Sequence, residues 1–94
     1  MLKISKFSQI NGKADEDEVL AWVDSYFFNL MNIFSAFFAK IEVAETISRI
    51  ECIPFDELVR QELEDEGEET IVLAVNRIME MVAIEMEMMR SYLD

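Results

Sequence analysis

Residues 19 to 38 read VLAWVDSYFFNLMNIFSAFF. Whether this run crosses a membrane or lies in a soluble core decides the fold. It is long enough to span a bilayer. It also carries Asp24, Asn29 and Asn32 at mid-depth, where polar side chains make a span costly. Val19, Leu20, Val23, Tyr26, Phe27, Leu30, Ile33, Phe34, Phe37, Phe38 and Ile41 share one broad face of a helix, with Ser25, Asn29, Asn32 and Ala36 opposite. That is the i, i+3, i+4, i+7 spacing of an amphipathic helix, so the run predicts a long buried helix in a soluble bundle. Its apolar arc covers about half the circumference, wider than the ~100° stripe of a simple surface helix. Phe28 falls outside even that arc.

Upstream, Asp15 followed by Glu18 is an N-cap pairing, and the acids at 15 to 18 suit the positive end of a helix that starts near Glu16. In residues 1 to 13, Leu2, Ile4, Phe7 and Ile10 keep no single period, which predicts an extended arm or short strand. Asn11-Gly12 is a turn signal.

Downstream, the pattern changes. Val43, Ala44, Ile47, Ile50 and Ile53 form an apolar face rotated by roughly half a turn from the first, at about 100° per residue. This predicts a helix break near Ala39-Lys40, or a continuous helix whose distal half docks elsewhere. Pro54 ends that segment and can open the next helix. The stretch PFDELVRQELEDE carries the apolar set Phe55, Leu58, Val59 and Leu63, and Gly67 is the expected stop. The last helix is expected from about Glu68 to Tyr92. Ile71, Val75, Ile78, Val82, Met86, Met89 and Leu93 follow a 4-3-4-4-3-4 spacing, close to a coiled-coil seam. A second stripe, Leu73, Arg77, Met81, Ile84 and Met88, leaves the helix apolar on two sides and predicts self-association as a homodimer.

The composition agrees with one small all-α domain over residues 1 to 94, an arm at 1 to 13 and a helical body of three to four helices. With two Gly and one Pro in 94 residues, the chain lacks the turns of a β sandwich, and seven Phe speak against disorder. Cys52 is alone, which fits a reducing compartment, so a cytoplasmic location is expected, and it is read as a small core residue near a helix end. The N-terminal stretch has no continuous apolar segment of the secretory type.

No His is present, which removes the commonest general base and zinc ligand. Neither a glycine-rich phosphate loop nor a Cys-His pair appears. The segment ELEDEGEE, residues 62 to 69, has an EF-hand-like start, yet the loop's twelfth position falls on Leu73, where a bidentate Glu is required. Seven Met, five of them within 79 to 89, belong at helical spacing to a core or an interface. No catalytic, cofactor or metal residues are assigned, and an enzyme is not expected.

Charge is the remaining signal. The net charge is −12, and from Asp15 onward 20 acids face five bases, while Lys3, Lys6 and Lys13 precede every acid. Such a field repels nucleic-acid phosphates and anionic membranes and attracts basic surfaces. The expected function is therefore protein binding: a small inhibitor or adaptor that presents Asp15, Glu16, Asp17, Glu18, Glu62, Glu64, Asp65, Glu66, Glu68 and Glu69 to a basic partner. In its short, acidic, helical style the chain resembles phage anti-restriction DNA mimics and bacterial immunity proteins, a likeness that no motif carries; an anti-CRISPR or antitoxin role is of the same type. The alternative is a viral or assembly subunit, or a secretion chaperone, that acts through helical oligomerisation.

Overall fold

The computed structural model describes residues 5–38 and 42–93. Among the described residues four α-helices follow a small hairpin: α1 (Glu16–Phe38), α2 (Val43–Glu51), α3 (Phe55–Glu62) and α4 (Glu68–Ser91). The fold is a small all-α bundle, and among the described residues no helix is long and apolar enough to cross a membrane.

The hairpin pairs β1 (Gln9–Ile10) with β2 (Lys13–Ala14), antiparallel, with Gln9 opposite Ala14 and Ile10 opposite Lys13. Asn11 at φ 54° and Gly12 at φ 80° make the connection. Positive φ at both central residues is the two-residue turn whose twist matches paired strands, and Asn-Gly adopts it at low cost. Asp15 then caps α1, accepting the Asp17 N–H on Oδ1 at 3.0 Å. Glu18 does not close the expected capping box onto Asp15. Its Oε2 accepts the Ser8 N–H at 2.9 Å, and the Asp15 N–H donates to the Ser8 carbonyl at 2.8 Å, so the cap doubles as a clasp for the arm.

α4 packs against the other three helices. Its Ile71, Ala74, Ile78, Val82 and Met86 meet Val19, Val23 and Phe27 of α1, Ile47 and Ile50 of α2, and Phe55, Val59 and Leu63 of the α3 segment in one core. α1 and α4 run in the same direction: Glu16 and Thr70 line one cleft, and further along Arg77 grips Asp24 through two hydrogen bonds of 2.9 and 3.3 Å. That bond and the Asp24 charge raise the Arg77 pKa above its usual value. The side-by-side pair, with α4 about 36 Å long, draws the molecule out to 48 × 24 × 17 Å. Its radius of gyration, 15.3 Å, exceeds the ~12 Å of a compact chain of this length.

Several expectations change. The switch at Ala39-Lys40 lies outside the described residues, but α1 ends at Phe38 and α2 begins at Val43, and the rotated face delivers Ile47 and Ile50 to the core. Ile33, placed on the buried arc of α1, is 52% exposed, while Trp22 and Met31 pack against the core. The buried line of α4 passes through Ala74 rather than Val75, because helices flank it on more than one side and a small residue admits the closer approach. Leu93, the last seam residue, is exposed beyond the helix. Cys52 caps α2 but is exposed, since Ile50 and Ile53 take the inward positions there.

Gly67 does not stop α3. That helix ends at Glu62, and the fully buried Leu63 anchors a turn in which its carbonyl accepts the Glu66 N–H at 2.9 Å. Gly67, at φ −68° and ψ 156°, is instead the N-cap of α4 and supplies no side-chain bond. An added Cβ there meets nothing within 4 Å. Gly67→Ser is expected to stabilise the fold by about 0.5–1 kcal/mol, by capping α4 and restricting the unfolded chain. Urea unfolding checks it; a lowered midpoint would show that the cap is not formed.

Candidate surface at the acidic end

The two acidic segments expected to bind a partner, 15–18 and 62–69, come together at one end of the molecule. The parallel course of α1 and α4 puts both helix starts there, and the hairpin lies against them. Lys13 and Ala14 share a shallow cleft with Glu16, Glu69 and Thr70, and a second hollow runs between the hairpin and residues 65–70.

The expected surface is not uniformly free. The basic arm folds onto it. Lys6 Nζ lies 3.7 Å from Glu62 and Lys13 Nζ 3.4 Å from Glu69, while the Ser5 hydroxyl donates to Glu66. Arg60 reaches Glu68 at 3.3 Å. Asp15 and Glu18 are committed to the cap and clasp of α1. Among the described residues this leaves the exposed carboxylates of Glu16, Asp17, Glu64 and Asp65 without a hydrogen bond or ion pair. Such pairs, largely exposed, contribute at most about 1 kcal/mol each.

Every described cation is already paired. Besides Lys6, Lys13 and Arg60, Arg49 holds Glu45, Arg77 holds Asp24, and Arg90 holds Glu51. Internal neutralisation therefore uses up the described bases and leaves acids in surplus.

Beside the acidic end is an aromatic group that sequence reading did not assign to the site. Trp22 and Tyr26 stack with ring centroids 5.0 Å apart and planes 9° from parallel. The Lys6 ammonium sits 5.2 Å from the Trp22 centroid, and the buried Phe7 meets Trp22 edge-on at 6.3 Å. The available signal was the spacing of Trp22 and Tyr26, one turn apart, facing a segment that carries Lys next to Phe. Burial raises the Tyr26 pKa above the ordinary 10.0, and the Glu62 carboxylate raises it further. The phenolate is the disfavoured form, so the folded chain keeps this proton longer than the unfolded chain. Its contribution to stability is full below pH 10.0 and is lost as pH rises through the folded value. An alkaline titration followed by tyrosinate absorbance is expected to show one late step that Tyr26→Phe removes and Glu62→Gln brings closer to the ordinary value. An absorbance curve that Tyr26→Phe leaves without loss of a late step would contradict it.

The proposed self-association stripe is largely occupied within the chain. Leu73 and Met81 pack against the core, and Arg77 is bound to Asp24 of α1. Ile84 and Met88 remain outside, 51% and 55% exposed. Among the described residues no group of three or more His, Cys, Asp or Glu is placed to hold a metal ion. No protein-family model, curated protein or solved structure matches this chain.

Proposed function

We propose that this protein is a non-catalytic binding protein, an inhibitor or adaptor, which offers its acidic end to a basic partner. The observation that carries this reading is the distribution of charge: each described cation is spent on an internal pair, while the carboxylates of Glu16, Asp17, Glu64 and Asp65 make no hydrogen bond or ion pair at one end. A concentrated, unscreened field of one sign speeds encounter with an opposite surface and gives that encounter a steep salt dependence. A mimic of nucleic-acid charge and a toxin-neutralising partner are both forms of this reading.

The test compares two variants with equal change in net charge. One carries Glu16→Gln, Asp17→Asn, Glu64→Gln and Asp65→Asn. The other carries Glu42→Gln, Asp56→Asn, Glu57→Gln and Glu87→Gln, all at exposed positions elsewhere. With a basic protein captured by the wild type, the first variant is expected to associate about tenfold more slowly at low salt and with a flatter salt dependence. The second is expected to stay near wild type. Equal slowing by both would reduce the effect to net charge and reject the acidic end as the contact surface.

The exposed Ile84 and Met88 favour a second reading, assembly through α4 into a homodimer. Sedimentation decides it: a dimer that Ile84→Glu converts to monomer supports assembly, and a wild-type monomer at high micromolar concentration rejects it.

A further inference from the structure

The arm, residues 5–14, is held to the body by a mixture of contacts with different strengths. Its ion pairs are weak: the Lys6–Glu62 pair is nearly half exposed, and in the Lys13–Glu69 pair both side chains are more than 70% exposed. Exposed pairs of this kind loosen with salt. Its firmer holds are the buried Phe7 ring and the Ser8 backbone, which Glu18 and the Asp15 N–H clasp. The adjacent Lys6-Phe7 pair makes the side-chain contacts with Trp22. Phe7 is only 6% exposed, its ring nearly perpendicular to that of Trp22, and the Lys6 ammonium lies over the Trp22 ring with Glu62 as counter-ion. The receiving surface is Trp22, Tyr26, Glu18 and Glu62, which come from α1 and the end of α3. An ammonium over an aromatic face with a carboxylate beside it is a recognition arrangement for lysine, and the neighbouring apolar seat selects an aromatic ring next to it.

We propose that this surface is a receptor for an extended basic segment carrying a lysine followed by an aromatic residue, and that the chain's own Lys6-Phe7 occupies it as an internal competitor. The reading as a binder of basic partners supplies the identity of the incoming segment; the competition itself does not depend on it. When a partner segment of the same chemistry enters, the arm lifts. Glu62, Glu66 and Glu69 then lose their internal partners and join the four uncommitted acids. Binding and exposure of the acidic end are thereby coupled. The turn at Asn11-Gly12 keeps the arm tethered to α1, so the competitor remains at high local concentration and sets a threshold on affinity.

The test uses the full chain and a fluorescent peptide of sequence SKFSQINGKA, residues 5 to 14. Two variants open the arm without altering the receiving surface: Phe7→Ala, and Lys6→Glu combined with Lys13→Glu. Circular dichroism establishes that each is folded, and the charge variant stands alone if loss of Phe7 disrupts folding. The opened chains are expected to bind the peptide at least about tenfold more tightly than wild type, because the occupied fraction of the site no longer weakens the apparent affinity. Adding Trp22→Ala to an opened chain is expected to abolish binding, as is Phe7→Ala within the peptide. Folded, opened chains that bind the peptide no more tightly than wild type would overturn the proposal, and so would binding that survives Trp22→Ala. Neither outcome bears on the paired charge variants, which test the acidic end separately.

Discussion

Phe55→Ala is expected to lower stability by about 3–5 kcal/mol. Phe55 opens α3 and is 2% exposed. Its ring meets Phe27 at 6.2 Å and Phe34 at 6.4 Å, the second contact edge-on, so it is a point at which α1 and α3 touch. Truncation removes the ring and leaves a cavity that the two helices close only in part. Small domains have about 5–15 kcal/mol in total, so a large share of the population unfolds or the urea midpoint falls by about 2–3 M at a typical slope. A midpoint within experimental error of wild type would show that the α1–α3 contact is not made through this ring.

Leu63→Ala is expected to cost about 2–5 kcal/mol, and it separates burial from charge within one short stretch. Leu63 is fully buried between Glu62 and Glu64, both exposed. Its N–H donates to the Val59 carbonyl at 3.0 Å and its carbonyl accepts from Glu66, so the side chain fixes the turn that carries the acids. Glu64→Gln, one residue on, is expected to change stability by no more than about 0.5 kcal/mol. Chemical denaturation of the two variants checks the contrast. Equal effects would mean that Leu63 does not anchor the turn.

Legibility differed along the chain for physical reasons. The approximate starts of α1 and α4 are legible because the Asp15 cap and the first-turn acids act locally, at Asp15 to Glu18 and at Glu68-Glu69. The periodicity of α1 was legible for the same reason. Gly67 misled because a glycine after a helical pattern usually marks a left-handed stop, whereas here the burial of Leu63, a tertiary effect, ended α3 earlier. Once the helix ends at Glu62, the three acids that follow no longer crowd the last turn of a helix, where negative charge is unfavourable. Periodicity alone does not say what covers the second stripe of α4, the chain's own α1 or another copy; the fold gives Leu73, Met81 and Arg77 to contacts within the chain and leaves Ile84 and Met88 exposed. The opposite charges of Asp24 and Arg77, each set within an apolar stretch, were the clue that these helices meet. As for the acidic end, the residue types were plain in the sequence. Their pairing with the arm was not, because Lys6 and Glu62 are brought together only by the complete fold.

The shared direction of α1 and α4 has an electrostatic consequence. Each helix carries about half a positive charge at its N-terminus. In an antiparallel pair these ends alternate and their fields oppose. In this molecule they add, so roughly one positive charge in total faces the first-turn carboxylates Glu16, Asp17, Glu18, Glu68 and Glu69. The carboxylates in turn relieve the repulsion between two aligned macrodipoles, at about 0.3–1 kcal/mol for each favourable placement. These five acids thus have work inside the fold whether or not a partner binds. Glu64 and Asp65 sit in the intervening turn, outside both first turns, and theirs is the charge at this end that the helices themselves do not call for.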